Sequence, residues 1–222
     1  MSQLEATVPL IAAPLTIKPP AVSSAGLKHA FGNVLLASSF FVAALPSANQ
    51  APIDLANAIW IIGAVIMGAF SLVRLPPKTA MVTVPAIAAS AGMLVIPCLM
   101  RPVSPSDGLL AIVGIALELI GVALSQIARI YMGRSFGILP ANRGLVLKGP
   151  FSSVRHPIYL GWLILTIGFA FSYPTARNVL LIVASIPFLV WRIQMEEGLL
   201  ALEPAYRAYQ HKVRFRLWPG VI

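Results

Sequence analysis

Apolar residues fall in six blocks of near-membrane length, at about 30–47, 55–73, 79–100, 108–130, 157–173 and 178–195, parted by short stretches that hold proline, glycine and charge. A hydrocarbon core about 30 Å thick takes about 20 residues of helix, and backbone polar groups inside it find no solvent partner. Each block is therefore expected to be a transmembrane helix. Tyr173, Pro174 and Thr175 separate the last two blocks with a turn signal, which predicts a tight helical hairpin. Asp54 and Asp107 stand where N-caps of the second and fourth helices are expected. The predicted fold is all-α, a polytopic bundle of about six spans ending in that hairpin and a cytoplasmic C-terminal cap.

Composition agrees: 58% of the 222 residues are apolar and 10% charged, and the mean hydropathy of +0.86 is far from a soluble domain's balance. Cations then set an orientation, because short cytoplasmic loops are enriched in Lys and Arg. Lys18 and Lys28 precede the first block, Arg74 and Lys78 follow the second, and Arg129, Arg134, Arg143, Lys148 and Arg155 cluster at or after the end of the fourth. Arg192, Arg207, Lys212, Arg214 and Arg216 come last, whereas Arg101 and Arg177 alone lie on the other side. Both termini and the loop before the fifth span are expected in the cytoplasm. The net charge of +9 is explained by this sorting and by attraction to anionic membrane lipids. Nucleic acid is not an expected partner, since the positive residues form no single stripe with stacking aromatics. Residues 1–25 read as a mobile cytoplasmic tail without the pattern of a cleaved signal. Cys98 is the single cysteine, so neither an internal disulfide nor a thiolate metal cluster is expected within one chain.

Chemistry concentrates in GPFSSVRHPIYLG, Gly149 to Gly161. Pro157 suits the first position of a helix and makes His156 its N-cap or neighbour. Such a start offers backbone N–H groups and partial positive potential, to which Arg155 adds a full charge, so the site should welcome an anion. Gly161 would let a ligand approach the helix backbone closely. The plainer alternative is that Arg155 reaches lipid phosphates, His156 caps, and Pro157 and Gly161 shape the turn. A second motif lies one hairpin later. Arg192 and Glu196 share a helical face and Glu197 points about 100° away. Adjacent carboxylates at the mouth of a bundle require cationic or donor-rich neighbours, and the hairpin should return them to the level of His156. An exposed Arg192–Glu196 salt bridge is the alternative.

These two motifs resemble those of the isoprenylcysteine carboxyl methyltransferases and the related phospholipid methyltransferases. That family carries L-V-x-x-G-x-[YF]-x-x-x-R-H-P-x-Y-x-G followed by an E-E doublet after a transmembrane hairpin. Here the segments read LVLKGPFSSVRHPIYLG, Leu145 to Gly161, and Glu196-Glu197. The tail residues Tyr206, Tyr209, Arg214, Arg216 and Pro219 fit too, although Glu203-Pro204 stands where a Phe-Gly pair is common. The likeness runs from about Ser125 to the C-terminus, which divides the chain into a tail (1–25), a variable membrane region (26–124) and a methyltransferase core (125–222). It implies S-adenosyl-L-methionine as cofactor and methyl donor, and a lipidic acceptor entering from the bilayer. By similarity, Arg143, Gly144, Leu145, Val146, Phe151, His156, Pro157, Tyr159 and Glu196 are cofactor-contacting positions, and Arg192 is an acceptor-binding one.

Residue chemistry is compatible with that implication. Glu196 and Glu197 can accept hydrogen bonds from ribose hydroxyls or an ammonium, backbone N–H groups near His156 can take a carboxylate, and Leu145, Val146, Phe151 and Tyr159 can wall an adenine. Arg192 and His156 are the catalytic candidates, with Arg192 holding an acceptor carboxylate. Isoprenylcysteine-type carboxyl O-methylation is the leading expectation and phospholipid-type amine N-methylation the alternative. An amine would call for a base, and Glu118, deep in the fourth block, is the candidate; its other use is a polar contact between helices, with Gln126 in reach. Two further classes stand beside these. A membrane NADPH-dependent reductase of the sterol type lacks a glycine-rich dinucleotide loop here, and a transporter or scaffold would be expected to show internal repeats.

Overall fold

The computed structural model describes residues 24–49, 55–73, 75–77, 79–81, 83–135, 141–142 and 144–218. Asp54, Arg74, Lys78, Arg143, Pro219 and nearly all of the N-terminal tail lie outside the described residues. The chain is mainly helical: α1 (Ser24–Ala48), α2 (Leu55–Leu72), α3 (Val84–Cys98), α4 (Gly108–Met132), α5 (Pro157–Ser172), α6 (Ala176–Leu200) and α7 (Pro204–Lys212). Two-residue strands β1 (Thr79–Ala80) and β2 (Ala141–Asn142) pair antiparallel.

Helix ends follow local chemistry, with two departures from expectation. The third helix begins at Val84 instead of residue 79, because Thr83 accepts from the Ala86 N–H at 3.4 Å with Pro85 in the first turn, while residues 79–80 go to the strand pair. Asp107 does occupy the N-cap position of α4, but its side chain makes no capping bond. The segment is held instead by Ser106, whose N–H and hydroxyl donate to the Ser172 and Phe171 carbonyls, each at 2.8 Å. Thr175 caps α6 through the Asn178 N–H at 3.2 Å.

At 25 residues each, α4 and α6 are long and apolar enough to cross a membrane, while α2, α3 and α5 are shorter apolar helices. Many large apolar side chains lie on the outside, the pattern expected of a bundle whose solvent is lipid. Leu109, Ile112, Leu180 and Val183 are exposed, whereas Glu118, Arg129, Arg192 and Glu197 are buried. Interhelical contact in lipid gains little from hydrophobicity, so close packing between small residues must supply it. The α4–α5 seam does this with Gly114 and Gly121 facing Gly161 and Gly168. A Cβ at Gly121 would stand 2.6 Å from the Gly161 carbonyl oxygen, and one at Gly168 would stand 2.7 Å from the Glu118 nitrogen. Gly161 thus admits the neighbouring helix, where the sequence pointed to a ligand.

The expected hairpin is looser than a packed pair. α5 lies along α4 and α6 along α3, so α5 and α6 diverge after their turn and meet again at their far ends. Asn178 locks the turn by accepting from the Arg101 N–H at 3.1 Å and donating to the Arg101 and Tyr173 carbonyls at 3.0 Å. That divergence opens the space described next.

Candidate active site

Starting helix α5 at Pro157 leaves His156 at its N-cap position, yet the imidazole makes no capping bond. It turns to α6, where Nε2 lies 3.1 Å from Glu197 Oε1. Arg155 Nε stands 2.9 Å from the same oxygen, and Arg216 Nε donates to Oε2 at 2.9 Å. Glu197 is 5% exposed, so one buried carboxylate ties together the loop, α6 and the C-terminal segment. The backbone repeats the tie, because the Arg155 and His156 N–H groups donate to the Phe215 and Arg216 carbonyls at 2.9 Å each. These two N–H groups are therefore committed to the tail.

Glu196 faces another way, as the 100° step between consecutive helical residues requires. Its Oε2 accepts from the Tyr159 hydroxyl at 2.6 Å, and that hydroxyl in turn accepts from Arg192 Nε at 2.6 Å. The direct Arg192–Glu196 salt bridge considered above is replaced by this phenol-bridged chain. Tyr159 stacks on His156 at a centroid distance of 5.5 Å and lies 5.6 Å from the guanidinium carbon of Arg192. Arg192 is 4% exposed and donates through Nη1 to Ser90 on α3 at 2.5 Å. The Ser90 hydroxyl donates onward to the Ala86 carbonyl at 2.7 Å, which leaves its lone pairs for the guanidinium.

Above this chain, the loop between α4 and α5 and the last helix form a roof. Gly144 and Gly149 have φ of +114° and +63°, a conformation that favours glycine. At Gly149 a Cβ would also meet the Tyr131 ring at 2.6 Å. Asn142 accepts from the Gly144 N–H at 2.9 Å and donates to Glu203. Glu203, which departs from the family pattern, thus anchors the loop to the start of α7. Tyr206, Tyr209 and Val213 pack against Leu145 and Leu200, and Tyr209 donates to the Phe151 carbonyl at 2.6 Å. Burial raises both phenols, Tyr209 to about 12, so they remain neutral donors.

A cavity of about 240 Å³ runs beneath the roof. Gly144, Leu145, Val146, Phe151, His156, Tyr159, Glu196, Arg192, Tyr206 and Tyr209 line its polar end, and Trp60, Ala64, Met67, Met93 and Pro97 of α2 and α3 line its apolar end. Pro157 is buried at the α5 start and Glu197 behind the wall; neither lines the cavity. Arg143 lies outside the described residues.

Residues 107–206 match the phospholipid methyltransferase family model. The family resemblance read from the two motifs is shown over this segment, and it points to a membrane methyltransferase. No curated protein matches the chain. The matched segment takes in all of α4, α5 and α6 and the start of α7, and begins before Ser125.

Glu118 stands apart from the site. It is fully buried and accepts from the Ser172 hydroxyl of α5 at 2.6 Å. It does not line the cavity, whereas Gln126 does. Ser90, Arg129 and Asn142 were not singled out for the site by sequence. A polar side chain inside an apolar helix was the available signal for the first two. Asn142, in a loop, offered none.

Proposed function

We infer that the protein is an integral membrane methyltransferase that uses S-adenosyl-L-methionine and acts on a lipidic acceptor, its six apolar helices spanning the bilayer and its motif loop facing the cytoplasm. One observation carries the reading: the His156 loop and the glutamate doublet, 41 residues apart at their contact, close over a single cavity whose other end is apolar.

The donor fits the residues at the polar end. Glu196 presents a carboxylate suited to ribose hydroxyls or an ammonium, and Leu145, Val146, Phe151 and Tyr206 provide an apolar and aromatic wall for an adenine. When bound, S-adenosyl-L-methionine supplies an electrophilic methyl group. Methyl transfer to a nucleophile already in its reactive form needs placement and charge compensation more than acid or base. Arg192 offers that compensation, oriented by Tyr159 and Ser90.

Because Glu118 lies off the cavity and Glu196 is engaged by Tyr159, the wall offers little for deprotonating an ammonium, which favours a carboxylate acceptor and O-methylation. N-methylation of an amine phospholipid is the second reading, favoured by the family that residues 107–206 match. The test is transfer of labelled methyl groups into membrane extracts by protein in lipid nanodiscs, with the labelled product identified. Wild type should bind the donor in a calorimetric titration and Glu196→Gln should not. Unaltered donor affinity in Glu196→Gln would remove the site assignment.

A further inference from the structure

An α-amino acid head such as the donor carries needs a positive partner for its carboxylate, and the fold leaves few places for one. The N–H groups of Arg155 and His156 are bonded to the tail carbonyls of Phe215 and Arg216 at 2.9 Å. Among the described residues three guanidinium side chains line the cavity: Arg129, Arg155 and Arg192. Arg155 belongs to the loop that is tied to the C-terminal segment, and Arg192 belongs to α6.

Arg129 differs in place. It is 4% exposed on α4, one helical turn or about 6 Å past Ser125. The Ser125 hydroxyl donates to the Ile158 carbonyl at 3.3 Å, so Arg129 stands at the level of the α5 entrance, beneath the roof that Leu145 and Tyr206 complete. A guanidinium buried at the edge of the bilayer is costly, and such residues face functional cavities. Its planar fork matches a carboxylate with two parallel hydrogen bonds.

We propose that Arg129 binds the α-carboxylate of the methyl donor and sets the orientation of its amino acid head. This rests on the methyltransferase reading above. In that arrangement Glu196 serves the cationic and hydroxyl groups of the donor while Arg129 serves its anion, and Arg192 is left to the acceptor.

The test compares S-adenosylhomocysteine, which carries the carboxylate, with methylthioadenosine, which lacks the amino acid head, by calorimetric titration of wild type, Arg129→Gln and Arg129→Lys in nanodiscs. Arg129→Gln should weaken S-adenosylhomocysteine on the order of tenfold or more while leaving methylthioadenosine unchanged. Arg129→Lys should recover part of the loss. Equal weakening of both nucleosides, or of neither, overturns the proposal. If neither weakens and the acceptor KM rises instead, the anion belongs to the acceptor and the donor assignment is wrong. A wild type that binds neither nucleoside overturns the methyltransferase reading itself.

Discussion

Replacing Glu197 by Gln should uncouple the C-terminal segment from the bundle while Glu196→Gln leaves it docked. The carboxylate is 5% exposed and meets Arg155, His156 and Arg216 at 2.9, 3.1 and 2.9 Å. A unit charge pair at about 4 Å and an effective dielectric of 20 is worth roughly 4 kcal/mol before desolvation. Removing one partner of a buried pair costs about 3–5 kcal/mol, because the charges left behind stay desolvated. Arg216 is 36% exposed at its side chain and reaches water once released, so its share is held to about 1 kcal/mol or less. Arg155, 9% exposed, has no such relief. A net loss of about 3 kcal/mol follows, roughly a hundredfold in the ratio of docked to undocked tail. Limited proteolysis between Lys212 and Trp218, read by mass spectrometry on protein in nanodiscs, measures that ratio directly. Thermal unfolding followed by tryptophan fluorescence gives a second reading. The reasoning is refuted if Glu197→Gln keeps wild-type protection and unfolding temperature, or if Glu196→Gln loses them to the same degree.

Two other outcomes are expected. Tyr159→Phe deletes the hydroxyl that joins Arg192 to Glu196 at 2.6 Å on each side, and methyl-transfer rate should fall roughly tenfold to a hundredfold without loss of folding, from about 1.5–3 kcal/mol of charge-assisted hydrogen bonding. An unchanged rate in a labelled-methyl assay would show that the phenol does not organise the site. Gly149→Ala must hold alanine at φ +63° with its Cβ 2.6 Å from the Tyr131 ring, so about 1–3 kcal/mol of stability should be lost. Tyr131→Ala in the same chain should restore only the steric part, and a single variant as stable as wild type in thermal unfolding would contradict this.

Much of the helix plan was legible because a membrane makes local demands. Apolar blocks at 55–73, 108–130 and 157–173 became helices at 55–72, 108–132 and 157–172, since the length of a block, its flanking prolines and its glycines act within a few residues of chain. The RHP motif and the glutamate doublet were visible for a similar reason, charge being rare in such a chain. Even their approach could be anticipated from hairpin topology.

What the linear chain did not contain was the direction of each polar group once the helices met. Glu196 and Glu197 are neighbours in sequence, yet the helical step turns one to the cavity and the other to Arg155, His156 and Arg216. That the Arg155 and His156 N–H groups serve the tail was decided by Phe215 and Arg216 returning from much later in the chain. Gly161 was resolved by the closeness of α4, and the places of Ser90 and Arg129 on the cavity wall became visible only when α3 and α4 enclosed the same space. Hydropathy and capping act over one or two helical turns, so sequence alone determined where helices begin and where charge collects. Partner choice among buried polar groups depends on contacts tens of residues apart, and tertiary packing alone decided it.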